Sequence, residues 1–214
     1  MSSLARIFIR SALTAGLCIS SPATGISNNN FWCKKMRIIS GKARGLKLRA
    51  PDGLDTRPTA DRIKESLFNM LAPDLPGCRF LDLFGGTGAI GIEALSRGAA
   101  LAVFADNSSV AVGTIKKNLA AAKLADGARV LYTDFKDALG RLASEGQKFD
   151  IIFLDPPYHT TFAEEALSLI AAEGLLDDDG YAVVETERGA ALKTDGLQEY
   201  KMRNYGSASL VFLR

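Results

Sequence analysis

Cysteine is scarce in this 214-residue chain. The three present, Cys18, Cys33 and Cys78, are odd in number and lack the paired spacing of a disulfide framework or a zinc site. The chemistry is therefore expected to run without a metal. Histidine is scarcer still, since His159 stands alone. No apolar run approaches the roughly 20 residues that span a bilayer. The stretch in the N-terminal region covers only Ala12 to Ile19, and no membrane association is expected. Acidic residues are missing from residues 1–35, which carry Arg6 and Arg10 and then serine, asparagine and proline. Three readings of that extension stay open: a stretch upstream of a start at Met36, an arginine-rich transit peptide, or a weak secretory signal.

What the chain does have is apolar content, 47% of its residues, enough to bury the core of one compact domain over residues 36–214. Its net charge of +2 hides an asymmetry. Residues 1–64 hold twelve Lys and Arg against three Asp, and the remainder holds fourteen basic and twenty-one acidic residues. Within residues 36–58, Arg37, Lys42, Arg44, Lys47 and Arg49 fall on a predicted β-hairpin around Gly41–Gly45. Arg57, Arg62 and Lys64 follow on the next turn and helix. Such a cluster neutralises phosphates and gives salt-dependent binding to a polyanion; a merely solvated basic face is the bland alternative. Thr59 is placed to cap a helix running to about Leu71, with Ile63, Leu67 and Leu71 as its buried stripe.

Arg79 to Gly91 reads as a short apolar strand, a glycine turn and the start of a helix, the layout of a ligand-binding turn. Gly86, Gly88 and Gly91 satisfy a dinucleotide fingerprint, with Asp106 twenty residues after Gly86. A nicotinamide enzyme is thus a fair rival. Asp82 argues against it, because a carboxylate at the strand mouth repels a pyrophosphate seated on the helix N-terminus. S-adenosylmethionine has no phosphate and carries a cationic ammonium and sulfonium, which an acid attracts. Asp106, ending the next strand, then suits ribose hydroxyls. After a third strand, Asp134 and Phe135 offer a carboxylate and a ring to an adenine, although Asp134 serves equally as a helix N-cap.

Asp155-Pro156-Pro157-Tyr158 closes a fourth apolar run, Phe149 to Leu154. A planar exocyclic amine is a poor nucleophile because its lone pair is delocalised into the ring. The Asp155 carboxylate and the Pro156 carbonyl can each accept one of its N–H groups, the prolines lock the turn, and Tyr158 can stack on an extruded base. An ordinary strand-ending turn is the alternative. His159 invites a general-base role, but a methylated amine is acidic enough to lose its proton without a dedicated base. Asp82, Asp106, Asp134 and Asp155 each end or follow an apolar run, so in an open α/β sheet all four would ring one crevice.

These motifs resemble the amino-methyltransferases that use S-adenosylmethionine. Met36 to Gly45 and Arg57 to Leu71 are similar, more narrowly, to the opening of RsmD-type methyltransferases, a resemblance that covers residues 36–214. It implies a doubly wound α/β fold with a mostly parallel seven-stranded sheet, a C-terminal antiparallel hairpin and the basic N-terminal hairpin. It implies methyl transfer to guanine N2 of small-subunit ribosomal RNA, with an assembled particle as the expected substrate and a monomer as the expected enzyme, in the cytoplasm, or in a mitochondrial or plastid matrix if residues 1–35 are a transit peptide. Adenine-N6 DNA methylation and a non-catalytic role in ribosome assembly are the alternatives. The expected catalytic residues are Asp155, Pro156, Pro157 and Tyr158. The expected S-adenosylmethionine set is Asp82, Phe84, Gly86, Thr87, Gly88, Asp106, Asn107, Asp134 and Phe135. Arg37, Lys42, Arg44, Lys47, Arg49, Arg57 and Arg62 are expected to meet RNA. The family often has a second acid two residues after Asp106, where this chain has Ser108. Further helices are predicted over Ser109–Ala122 and Phe162–Ala172, a fifth strand over Tyr181–Glu185, and a terminal hairpin turning at Asn204-Tyr205-Gly206.

Overall fold

A computed structural model of the chain describes residues 36–50, 58–194 and 196–214. The expectations for residues 1–35 and for Arg57 lie outside the described residues. Five parallel strands run β1 (Arg79–Asp82), β2 (Leu101–Asp106), β3 (Ala128–Tyr132), β4 (Phe149–Leu154) and β5 (Leu176–Glu187). Between them lie α2 (Ala89–Ser96), α3 (Ser109–Ala122), α4 (Phe135–Ser144) and α5 (Phe162–Ala172), and α1 (Pro58–Leu71) precedes β1. The antiparallel strands β6 (Glu199–Tyr205) and β7 (Ala208–Leu213) complete a seven-stranded sheet of order β3-β2-β1-β4-β5-β7-β6.

The unbroken apolar runs of the strands follow from burial on both faces. Successive residues point to opposite sides, so Phe80, Phe104, Ile151, Phe153 and Val183 enter one core while Leu81, Val103, Ile152, Leu154 and Val184 enter the other. The first core receives Ile63, Leu67 and Leu71 of α1, Ile92 of α2 and Ile115 of α3. The second receives Leu139 and Leu142 of α4 and Leu167 and Ile170 of α5. Gly91 lets α2 lie close to the sheet, since a Cβ there would stand 2.3 Å from the Phe104 ring. Cys78 is a buried thiol pushed up to about 12 by burial, with Asp150 and Asp74 adding, and so is unreactive.

Three predicted boundaries move. Helix α1 begins at Pro58, so Thr59 lies in its first turn and does not precede it; proline suits that position because the first helical N–H has no partner to lose. Strand β5 starts at Leu176, its acidic beginning joined to the apolar part through a register shift opposite Phe149–Ile151. Asn204 and Tyr205 belong to β6, and the turn falls on Gly206 and Ser207.

Residues 36–50 form the expected basic hairpin, closed by a single Arg37–Lys47 bridge, with Ile38 N donating to the Leu46 carbonyl at 2.9 Å. Polar contacts dock it onto α2. Ile39 N and Ser40 N donate to the two Glu93 carboxylate oxygens at 2.8 and 2.9 Å, and Lys42 N donates to the Ser96 carbonyl at 2.7 Å. A Cβ at Gly41 would lie 1.8 Å from that same carbonyl oxygen, so only glycine permits the approach. Glu93 is fully buried and pairs with Lys64 at 3.1 Å and Arg97 at 2.8 Å. Lys64 also donates to the Arg37 carbonyl at 3.1 Å. Lys64 is therefore a buried anchor of the hairpin and not one of its phosphate-facing charges, a correction to the sequence reading.

Candidate active site

The carboxyl ends of the parallel strands open into two adjoining cavities. The larger, about 520 Å³, is lined by Phe84, Gly86, Asp106, Asn107, Thr133, Asp134, Phe135, Asp155, Pro156, Pro157, Tyr158, Phe162 and Glu185, with Leu83 behind. The smaller, about 200 Å³, is lined by Asp82, Thr87, Met36, Ile63, Lys64 and neighbours, and shares Phe84, Gly86, Asp155 and Glu185 with the first. The expected single ring of four aspartates is thus divided. Asp106, Asp134 and Asp155 meet in the larger space, whereas Asp82 faces only the smaller one. Gly88 lines neither; it is the N-cap of α2, and its N–H donates to the Gly85 carbonyl at 2.7 Å.

Three of the four acids, Asp82, Asp106 and Asp134, are held by backbone N–H groups. Asp82, ending β1, accepts the Gly91 N–H at 3.0 Å. That amide belongs to the first turn of α2, the donor a pyrophosphate would need, so the dinucleotide reading loses its anion seat. Burial pushes the Asp82 carboxyl up to about 7 against the lowering pull of Gly91, with Asp155 and Asp106 adding repulsion. Asp106 accepts Gly86 N through one oxygen and Ser108 N through the other, both at 2.8 Å, which ties the glycine turn to the end of β2. Each of its oxygens keeps a lone pair for a hydroxyl. Ser108, standing where the family often has an acid, is the N-cap of α3 and accepts Ala111 N at 3.3 Å. Asp134 caps α4, accepting Lys136 N and Asp137 N through a single oxygen at 2.8 and 3.1 Å. The N-cap reading of Asp134 therefore holds, and its place on the cavity wall holds beside it.

An aromatic wall runs through the larger cavity. The Phe135 ring lies 5.5 Å from Phe84 and 5.2 Å from Phe162, centre to centre. Tyr158 is half exposed at the mouth. Asp155 opens onto the cavity yet is ringed by protein, and burial raises its carboxyl above the ordinary range. Glu185 is raised as well, first by burial and then by the charge of Asp155. The sheet explains their proximity: Leu154 pairs with Val184, so the next residues of β4 and β5 are neighbours. Glu185 and Phe162 escaped the sequence reading. The signal for Glu185 was the equivalence of two strand ends, visible only once the register of β5 is known.

His159 stands apart, exposed, with Nε2 at 3.6 Å from Glu187, and lines neither cavity. It has no place in the site that a general base requires. Arg37, Lys42, Arg44, Lys47, Arg49 and Arg62 are all exposed. The hairpin also reaches the site. Thr87 Oγ1 donates to Met36 Sδ at 3.1 Å, and the Asn118 amide donates to the Arg49 and Thr87 carbonyls at 3.0 and 2.9 Å.

Strand order, paired cores and a strand-end crevice of carboxylates and aromatic rings are those of the class I S-adenosylmethionine-dependent methyltransferase fold. The family model described as "Conserved hypothetical protein 95" matches residues 36–214, and the chain belongs to this family, as an RsmD-like methyltransferase. It is 44% identical over 157 residues to YlbH of Bacillus subtilis, covering 73% of this chain and 85% of that one. It is 41% identical over 166 residues to ribosomal RNA small subunit methyltransferase D of Escherichia coli K12, covering 78% and 82%. The solved structure of yhhF from Escherichia coli superposes with a TM-score of 0.72 at 35% identity, covering 84% of this chain and 97% of that one.

Proposed function

We propose that this methyltransferase modifies the exocyclic N2 amine of a guanine in small-subunit ribosomal RNA, presented in an assembled or partly assembled particle. The relative from Escherichia coli is named for ribosomal RNA of the small subunit, which supports the substrate class. The observation that carries the reading is the meeting of two groups in one cavity: the acids and rings suited to the cofactor, and the Asp155-Pro156-Pro157-Tyr158 turn suited to an amine.

S-adenosylmethionine supplies an electrophilic methyl group on a sulfonium. Carboxylates raised by burial suit its positive charge, and Asp82 with Gly86 and Thr87 would hold the methionine end. Asp106, with Asn107 beside it, would take the ribose hydroxyls. Asp134 and the Phe84–Phe135–Phe162 wall would take the adenine. Asp155 and the Pro156 carbonyl each accept one N–H of the target amine, drawing its lone pair out of conjugation, while Tyr158 stacks on the base. An in-line displacement needs positioning above all. The exposed charges of residues 36–50, with Arg62, would contact phosphates.

Mass spectrometry of ribosomal RNA nucleosides from cells with and without the protein tests this reading, with loss of N2-methylguanosine expected. Labelled transfer to 30S particles, naked rRNA and duplex DNA tests the substrate: transfer to particles first is expected. Transfer to adenine in DNA would overturn the proposal.

A further inference from the structure

The reaction proposed above uses Asp155 but leaves its neighbour unexplained. Glu185 lines both cavities, lies one residue beyond the Leu154–Val184 pairing, and so sits beside Asp155 at adjacent strand ends. Among the described residues, no hydrogen bond or ion pair engages either carboxylate. Two half-enclosed acids side by side repel unless donors are placed between or against them. The purines differ in what they offer. Guanine presents N1–H beside its N2 amine, two donors on one edge. Adenine presents an acceptor, N1, beside its amine, and 2-aminopurine keeps the N2 amine but has an acceptor at N1.

We propose that Glu185 is a specificity-determining residue that accepts the N1–H of the target guanine while Asp155 and the Pro156 carbonyl hold the amine. This deepens the guanine reading above and rests on it. A carboxylate at this place matches guanine and meets the N1 lone pair of adenine or 2-aminopurine with its own. A protonated Glu185 would do the reverse, since it offers a donor to N1. The burial-raised carboxyl makes that alternative a real one, and the base chosen by the enzyme decides between them.

The test uses the full-length enzyme and small subunits reconstituted from rRNA in which the nucleotide mapped by mass spectrometry is guanine or 2-aminopurine, supplied on a ligated synthetic segment. Both carry the amine to be methylated, so only N1 and the O6 position distinguish them. The wild type is expected to favour guanine by about tenfold or more in kcat/KM, the usual discrimination of one well-formed base contact. Glu185→Gln, whose amide can donate as well as accept, is expected to lower that ratio at least severalfold by losing guanine and gaining 2-aminopurine. S-adenosylhomocysteine should stabilise the variant as it does the wild type, which separates base reading from a general loss of fold. An unchanged ratio, or a wild type that prefers 2-aminopurine, overturns this inference alone. No transfer to guanine by the wild type overturns the underlying reading with it.

Discussion

The strand-end crevice and the basic hairpin are held by opposite means. In the crevice, the acids sit at register-defined ends of buried strands, and their charges are poorly compensated: Asp82 is almost fully buried with one backbone donor. In the hairpin, the charges face solvent, while the backbone is closed by one bridge and fastened by Glu93, Ser96 and Asn118. A sheet can tolerate unsatisfied charge because its geometry is over-determined by neighbouring strands. The hairpin has no such surplus and keeps its shape through a compensated ion cluster. Poorly compensated charge and compensated ion pairing thus lie in different parts of the same domain.

Variants of single residues should separate the two regions. Asp155→Ala strikes the crevice alone: labelled methyl transfer is expected to fall about 100-fold or more, while S-adenosylhomocysteine still raises the melting temperature. Equal loss of cofactor binding would assign Asp155 to the cofactor and break the contrast. Glu93→Ala strikes the hairpin's anchor. Removing one partner of a buried cluster costs about 3 kcal/mol or more, so the melting temperature should drop by about 6 °C or more. A drop near zero would show that the hairpin stands without its fastening.

The next effect is smaller and depends on pH. The folded Asp82 carboxyl titrates near 7, above its ordinary value of 3.8. The fold therefore holds this proton more tightly than the unfolded chain does. Its contribution to the stability of the cofactor-free protein is complete below about pH 4 and is lost as pH rises through 7. Asp155 and Glu185, also raised, act in the same direction. The wild-type melting temperature minus that of Asp82→Asn should decline from pH 4 to 7. Affinity for S-adenosylmethionine should rise over the upper part of that range in the wild type and stay flat in the variant. A flat wild-type profile would refute the uncompensated charge. The smallest effect belongs to a single hairpin cation: Arg44→Ala should lessen the salt dependence of RNA binding by roughly 0.7 to 0.9 in log–log slope, with cofactor affinity unchanged. An unaltered slope would return Arg44 to a solvated face.

Much of the sheet was legible because β1, β2 and β4 are compact apolar runs ended or followed by an acid, as in Phe80-Leu81-Asp82 and Phe153-Leu154-Asp155. The helices Ser109–Ala122 and Phe162–Ala172 match their predicted bounds. Strand β5 was only half visible, since Asp177-Asp178-Asp179-Gly180 reads locally as a turn and is strand only through its partners. The role of Lys64 was misread for a related reason: a lysine near a basic segment looks solvent-facing until Glu93, on another helix, is brought against it. Glu185 and Phe162 gained their meaning the same way, from packing that no local pattern encodes. Residue types at strand ends carry their own signature; pairings across the fold do not.

The irregular start of β5 has one more implication. Between the Phe149–Leu176 and Ile151–Tyr181 pairings, β5 advances five residues while β4 advances two, and Asp177, Asp178 and Asp179 lie exposed in the excess. Those aspartates are a slack link, where a residue gained or lost changes only the length of a bulge. Beyond Tyr181 there is no slack. One residue inserted before Glu185 would turn the whole remaining strand over, leaving a valine where the acid stands. Tolerance of length on one side of Tyr181 and intolerance on the other would be the footprint of an acid whose place is kept by counting.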